Sequence, residues 1–285
     1  CNFYMPIFEE ALDAYGLPLE LRYLPIIESA LNPSAVSRAG ASGLWQFMIG
    51  TGKIYGLESN SLVDERRDPI KATWAAARYL KEMYDIYGDW NLVIAAYNCG
   101  PGTINKAIRR ANGETDYWKI YNYLPKETRG YVPAFIAANY VMTYYCDHNI
   151  CPMETNIPAS TDTVQVNKNL HFEQIADLCN VPLDQIKSLN PQYKKQMIPG
   201  DSKPYTLRLP IDSISTFIDK QDTIYAHRAD ELFRNRKTIA VKEITPSTRK
   251  TTTAVAGKGK LTYYTIKSGD TLSTIAGKYG VTIKD

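Results

Sequence analysis

Through the first 150 residues, apolar side chains recur three and four apart, and glycine or proline cuts each run. Ile7, Ala11 and Tyr15 share one such face, with Phe8 and Leu12 beside them, before Gly16. That spacing marks the buried stripe of a helix, and the glycine ends it. Leu17-Pro18 opens the segment LELRYLPIIESA, which stops before the turn signal Asn32-Pro33. Trp74, Arg78, Tyr79, Met83 and Tyr87 follow one helix that Gly88 ends. Residues 90–98 read as a short buried helix closed by Gly100, and residues 131–145 as another. No strand alternation precedes residue 160. The pattern predicts an all-α first domain over residues 1–152, long enough to bury a core.

After a linker, PMETNIPAS, the character changes. Residues 161–210 read as strand, helix (171–179), turn, helix (183–189), loop and strand (205–209), a small βααβ unit. Residues 211–260 read as a polar helix followed by a basic flexible linker. Residues 261–285 start as strand and helix, then stop. The last unit repeats the first: Ile275-Ala276 aligns with Ile175-Ala176, and Val281 with Val181. The fold class expected is therefore mainly α.

Composition narrows the function classes. No run of about 18 apolar residues occurs, so no transmembrane helix is expected. The net charge of +3 is concentrated, because residues 236–260 hold seven basic residues against Glu243 alone. The basic excess belongs to the linker and argues against a nucleic-acid face. The five cysteines, Cys1, Cys99, Cys146, Cys151 and Cys179, make no framework, although Cys146 and Cys151 could pair in an oxidising compartment. Cys146, His148 and Cys151 lack an evident fourth ligand, so no metal and no cofactor is expected. The chain opens directly in a helical pattern with no signal peptide, as a fragment of a longer protein would. Tyrosine is abundant at 21 residues, and it joins a flat apolar face to a hydroxyl, which suits both helical cores and sugar surfaces.

One carboxyl stands out. Glu28 lies between Pro25-Ile26-Ile27 and Ala30-Leu31, close to a helix C-terminus. Apolar surroundings and the negative end of the helix dipole both favour its protonated form. A neutral carboxylic acid at neutral pH is what protonating a leaving oxygen requires. A buried structural glutamate is the alternative on these grounds alone.

The ordered set ESALNP, Ser37, GASGLWQFM, DERRDPIKATWAAARYL, AAYNCGPG and LPKETRGYVPAFIAA resembles the catalytic domain of lytic murein transglycosylases with a goose-lysozyme-like fold. The terminal YYTIKSGDTLSTIAGKYGVT resembles a LysM module truncated at its end. Residues 161–210 resemble a degenerate one, reading VNKNL where the other reads IKSGDTL. The resemblance implies a lysozyme-like all-α catalytic domain followed by βααβ LysM-like units. It implies that Glu28 is the single general acid/base, and that Ser37, Gln46, Met48, Tyr97, Asn98 and Tyr131 contact substrate. Each binding residue has a plainer alternative. Ser37 could close a turn, Gln46 could bond a loop backbone, Met48 could fill the core, and Tyr131 could start a helix ahead of Pro133. Trp45 reads as packing, and Ser29 as a helix-end residue. Asp64, Glu65 and Asp68 read as salt-bridge or cap residues.

What the resemblance further implies is non-hydrolytic cleavage of the MurNAc-β-1,4-GlcNAc bond of peptidoglycan, giving 1,6-anhydroMurNAc ends during cell-wall remodelling and turnover. The expected partners are peptidoglycan glycan strands, with no nucleic acid, in the periplasm or cell envelope. The resemblance leaves room for lipid anchoring to the outer membrane in the full-length protein. Two other readings stay open. A goose-type lysozyme would hydrolyse the same bond but needs a second placed carboxylate, and none is evident. A non-catalytic peptidoglycan-binding protein is the third.

Overall fold

The computed structural model describes residues 3–151, 157–158, 160–233 and 241–244. The first region is helical: α1 (Met5–Ala14), α2 (Leu24–Ser29), α3 (Ile49–Ile54), α4 (Pro69–Tyr87), α5 (Trp90–Cys99), α6 (Pro101–Arg110), α7 (Tyr117–Ile120) and α8 (Lys126–Tyr144). The mainly α expectation is met. Among the described residues no helix is long and apolar enough to cross a membrane.

Local chemistry sets the helix ends. Asp68 caps α4, its carboxylate accepting from the N–H groups of Ile70 and Lys71, and Gly88 ends the helix at φ 62°. Asp89 caps α5 by accepting from Leu92 N at 2.8 Å. Five consecutive residues of α5, Leu92–Ala96, are buried, so this helix runs through the core and carries Tyr97 and Asn98 at its far end. Phe8 and Leu12 of α1, Leu24, Trp45, Leu80 and Leu92 pack in that core.

Helix α8 begins at Lys126, five residues before the expected start, and runs through Pro133. Proline has no N–H, so the carbonyl of Arg129 loses its helical donor. The Tyr117 hydroxyl donates to that carbonyl at 3.0 Å. Tyr131 therefore sits inside a helix rather than at its start.

The second region is a small α/β unit. Strand β1 (Thr161–Val166) pairs antiparallel with β4 (Tyr205–Pro210), from Thr161 opposite Pro210 to Val166 opposite Tyr205. A short pair joins β2 (Asn169–His171) to β3 (Met197–Pro199). Helices α9 (Phe172–Cys179) and α10 (Leu183–Leu189) lie between the strands in sequence. Tyr205, Leu207 and Leu209 alternate inward to meet Val166, Ile175 and Ile186.

Two features of this unit depart from the βααβ expectation. Helices α11 (Ile211–Asp219) and α12 (Gln221–Ala226), in a stretch read as polar, bury Phe217 and Ile224 in its core. Leu62 and Val63, from a loop of the first region, are buried in the same core. At roughly 2 kcal/mol for each buried side chain, that pair alone fastens the two regions substantially. Residues 241–244 add a backbone clip, with Asn60 bridged to Glu243 and Ile244 N donating to Ser59 O. The expected linker beyond these residues and the terminal unit at 261–285 lie outside the described residues.

Candidate active site

Helix α2 is only six residues long, and Glu28 is its penultimate residue. Ala30 and Leu31 follow at φ 51° and 59°, left-handed backbone that non-glycine residues rarely adopt. Their N–H groups fold back onto the carbonyls of Ile26 and Pro25, which closes the helix end and fixes the Glu28 carboxyl beside it. Glu28 is half-buried. The Tyr131 hydroxyl, from α8, donates a short hydrogen bond to Glu28 Oε1.

Burial pushes the Glu28 carboxyl up to about 7, the Tyr131 hydrogen bond opposes that rise, and the negative charge of Glu127 adds to it. The carboxyl thus stands near its midpoint at neutral pH, able to give a proton and to hold one. Burial also raises the Tyr131 and Tyr97 hydroxyls well above their ordinary value, with the Glu28 charge next in effect. Both remain neutral donors.

Facing α2 is the loop 35–48. Val36, Ser42 and Phe47 form successive antiparallel bridges within it. Gln46 takes φ 48°, and its Nε2 donates to Gly43 O at 2.8 Å and Ala35 O at 3.3 Å. The Ser29 hydroxyl lies 2.9 Å from Leu44 O and 3.0 Å from Pro25 O, tying the helix end to this loop. The Tyr97 hydroxyl donates to Trp45 O at 2.8 Å. Trp45 is fully buried, with Nε1 on Thr73 Oγ1 at 2.9 Å and its ring edge-on to Phe8, so it packs as expected.

The sequence-derived residues fall into two groups. Glu28, Tyr131 and Tyr97 converge. Asn98 joins them indirectly: its Oδ1 accepts from Thr128 Oγ1 on α8 at 2.8 Å, one turn before Tyr131. Gln46 and Ser37 make bonds within the loop. Ser37 is exposed, and its Oγ accepts from Ala41 N at 3.0 Å, which is the turn-closing alternative. Met48 is 46% exposed, so it does not fill the core. The turn 64–68 also behaves as read. Asp64 pairs with Arg66 at 2.8 Å, Glu65 with Lys71 at 2.5 Å, and Asp68 caps α4.

One residue escaped the sequence reading. Glu127 is exposed at the start of α8, four residues before Tyr131, and it is the neighbouring charge that acts on Glu28. Its i,i+4 relation to Tyr131 in KETRGYV is the signal that would have found it. Among the described residues no group of three or more His, Cys, Asp or Glu stands close enough to hold a metal.

The Tyr131 bond gives a direct expectation. Tyr131→Phe removes a donor to the charged form of Glu28, a loss of about 1.5 kcal/mol or more. The alkaline half-point of turnover should then move up by about one pH unit, read from a pH–rate profile against the wild type. An unmoved half-point would deny the bond its role.

Comparison with known proteins agrees with this architecture. Residues 5–120 match the transglycosylase SLT domain, residues 160–226 match the LysM-like domain of lytic transglycosylase MltD, and residues 264–285 match the LysM domain. The chain thus carries an SLT transglycosylase domain and LysM-like domains. It is 33% identical to the membrane-bound lytic murein transglycosylase D of Escherichia coli K12 over 276 residues, 95% of this chain and 56% of that protein. The chain thus spans little more than half the length of that relative. It is also 33% identical to the soluble lytic murein transglycosylase of the same organism over 124 residues, 41% of this chain and 19% of that one. The crystal structure of the 70 kDa soluble lytic transglycosylase of Escherichia coli covers 50% of this chain and 24% of that one, at 29% identity and a TM-score of 0.43.

Proposed function

We propose that this protein is a peptidoglycan lytic transglycosylase of the bacterial cell envelope that cleaves the MurNAc-β-1,4-GlcNAc bond without water. The observation that carries this reading is the Glu28 carboxyl: half-buried at a helix end, held by Tyr131, with its pKa at about 7. The matches to SLT and LysM-like domains support the substrate class.

Protonated Glu28 gives its proton to the glycosidic oxygen, and the bond from muramoyl C1 to that oxygen breaks. The substrate's own acetamido group supports the positive charge that develops at C1. Glu28, now a carboxylate held by Tyr131, takes the proton from the muramoyl C6 hydroxyl. The C6 oxygen closes onto C1 and leaves a 1,6-anhydroMurNAc end. The proton lost in the first step returns in the second, so one carboxyl suffices and no water is consumed. Ser37, Gln46, Met48, Tyr97 and Asn98 are assigned to the wall that holds the sugar, where correct placement of C6 against C1 supplies much of the rate. Hydrogen bonds within the protein hold the Ser37, Gln46, Tyr97 and Asn98 side chains in place. Attachment to a membrane of the cell envelope fits the name of the membrane-bound relative.

Glu127 favours one competing reading. A goose-type hydrolase needs a second carboxylate to hold or replace a water, and Glu127 is the charge that acts on Glu28. Digestion of purified peptidoglycan separates the two. Soluble products one water lighter than hydrolysis products, and resistant to borohydride reduction, are expected. Reducible muramoyl ends would make the protein a hydrolase, and loss of those products in Glu127→Gln would make Glu127 its second carboxylate. Binding without release would make it a glycan-binding protein.

A further inference from the structure

We propose that the LysM-like unit, residues 160–233, is a positioning module for the catalytic wall, acting through the relay Lys194–Asp64–Arg66 onto the loop that carries Gln46 and Met48. Lys194, in the loop after α10, donates from Nζ to Asn60 O at 2.8 Å and stands 3.6 Å from Asp64 Oδ2. Asp64 takes Arg66 in a two-point pair, Nε and Nη2 each 2.8 Å from a carboxylate oxygen. The Asp64 and Arg66 side chains are 2% and 6% exposed. Burial pushes the Asp64 carboxyl up, but the Arg66 bonds and charge, with Lys194 beyond, hold it below the usual carboxylate range. Arg66 Nη1 then donates to Gly40 O at 2.8 Å and Phe47 O at 2.9 Å, on either side of Gln46.

The backbone follows the same route. Lys194 N donates to Leu62 O and Asp64 N to Gln192 O, each at 2.8 Å, while Val63 is bridged to Tyr193. Gly43, whose carbonyl accepts from Gln46, lies directly against the Arg66 backbone. A guanidinium fork fixed at one end by a buried carboxylate can hold two carbonyls in place only while that carboxylate is itself held. Lys194 supplies that hold from the LysM-like unit. A tethered glycan-binding module would need no such bolt.

The inference rests on the proposed function for its effect on turnover, so its test includes a readout independent of activity. Amide hydrogen exchange at Ser42 and Gly43, bonded to Phe47 O and Ala35 O, reports the loop directly. Lys194→Met should speed exchange at both about tenfold, and Lys194→Arg should restore most of the protection. Lys203→Met removes a different contact across the same seam, the 2.7 Å pair with Glu58, and should leave both amides unchanged. On a short soluble muropeptide, Lys194→Met should lower kcat about tenfold with KM within twofold. If Lys194→Met unfolds globally, seen as exchange throughout the chain, Lys194→Gln takes its place. Unchanged Ser42 and Gly43 protection in the Lys194 variant, or equal loss in Lys203→Met, overturns the relay. A wild type inactive on muropeptide, with the exchange pattern intact, overturns the proposed function and leaves the relay standing.

Discussion

Glu28→Gln should reduce the release of soluble glycan from peptidoglycan about a thousandfold, the scale of a lost general acid/base. The amide keeps the shape and still accepts from Tyr131, but it has no proton to give at the first step and cannot take one at the second. Binding to the insoluble polymer should be unchanged. In the wild type, kcat/KM should fall on the alkaline side of about pH 7, as the acid form is lost. Stability carries a second signature. The folded carboxyl has its pKa raised from 4.5 to about 7, so its stabilising contribution is full below 4.5 and is lost as pH rises through 7. That difference corresponds to about 3 kcal/mol. Glu28→Gln carries no such penalty and should be the more stable protein at pH 8 by about that amount, with the gap closing at pH 4. Urea titrations at the two pH values read it directly. A gap of equal size at both would place the perturbed carboxyl elsewhere.

Gly43→Ala should cost about 4 kcal/mol or more, one of the exceptional single substitutions. Gly43 adopts φ 90°, and a Cβ on it would stand 1.7 Å from the Arg66 carbonyl oxygen and 2.6 Å from its carbon. Both are backbone atoms and cannot rotate away. The loop must lift off the Arg66 turn, which takes Gln46 and the Arg66 bonds with it, so turnover should be lost as well. Gly40 is the control: it has φ 87° but nothing within 4 Å of the same added atom. Gly40→Ala should cost only the left-handed backbone term, about 1–2 kcal/mol. Equal losses at the two positions would mean that backbone strain, not contact with Arg66, sets the cost.

Much of this was legible in the sequence where one signal acted locally. The helices at 172–179 and 183–189 carry their apolar stripe and turn residues within a dozen positions, and they form where the pattern put them. Glu28 was conspicuous as a carboxyl among apolar neighbours at a helix end, although the groups that act on it, Tyr131 and Glu127, lie far along the chain. The rest depends on partners distant in the chain. Leu62 and Val63 are two apolar residues in SLVDERRD, too few for any period, yet they enter a core built more than a hundred residues later. Phe217 and Ile224 are hidden in the same way by polar neighbours. Proline 133 signalled a helix start because nothing nearby shows that Tyr117 will take the carbonyl it frees. Glu127 was harder to see because it acts on Glu28 from another helix, and only its i,i+4 relation to Tyr131 points to it.

In the proposed mechanism Glu28 works alone, and the muramoyl C6 oxygen, not water, closes onto C1. Digesting peptidoglycan in water enriched with heavy oxygen tests this most directly, with mass spectra of the released muropeptides as the readout. Anhydro products with no heavy oxygen at the muramoyl end are expected. One heavy oxygen on C1 in each product would contradict it.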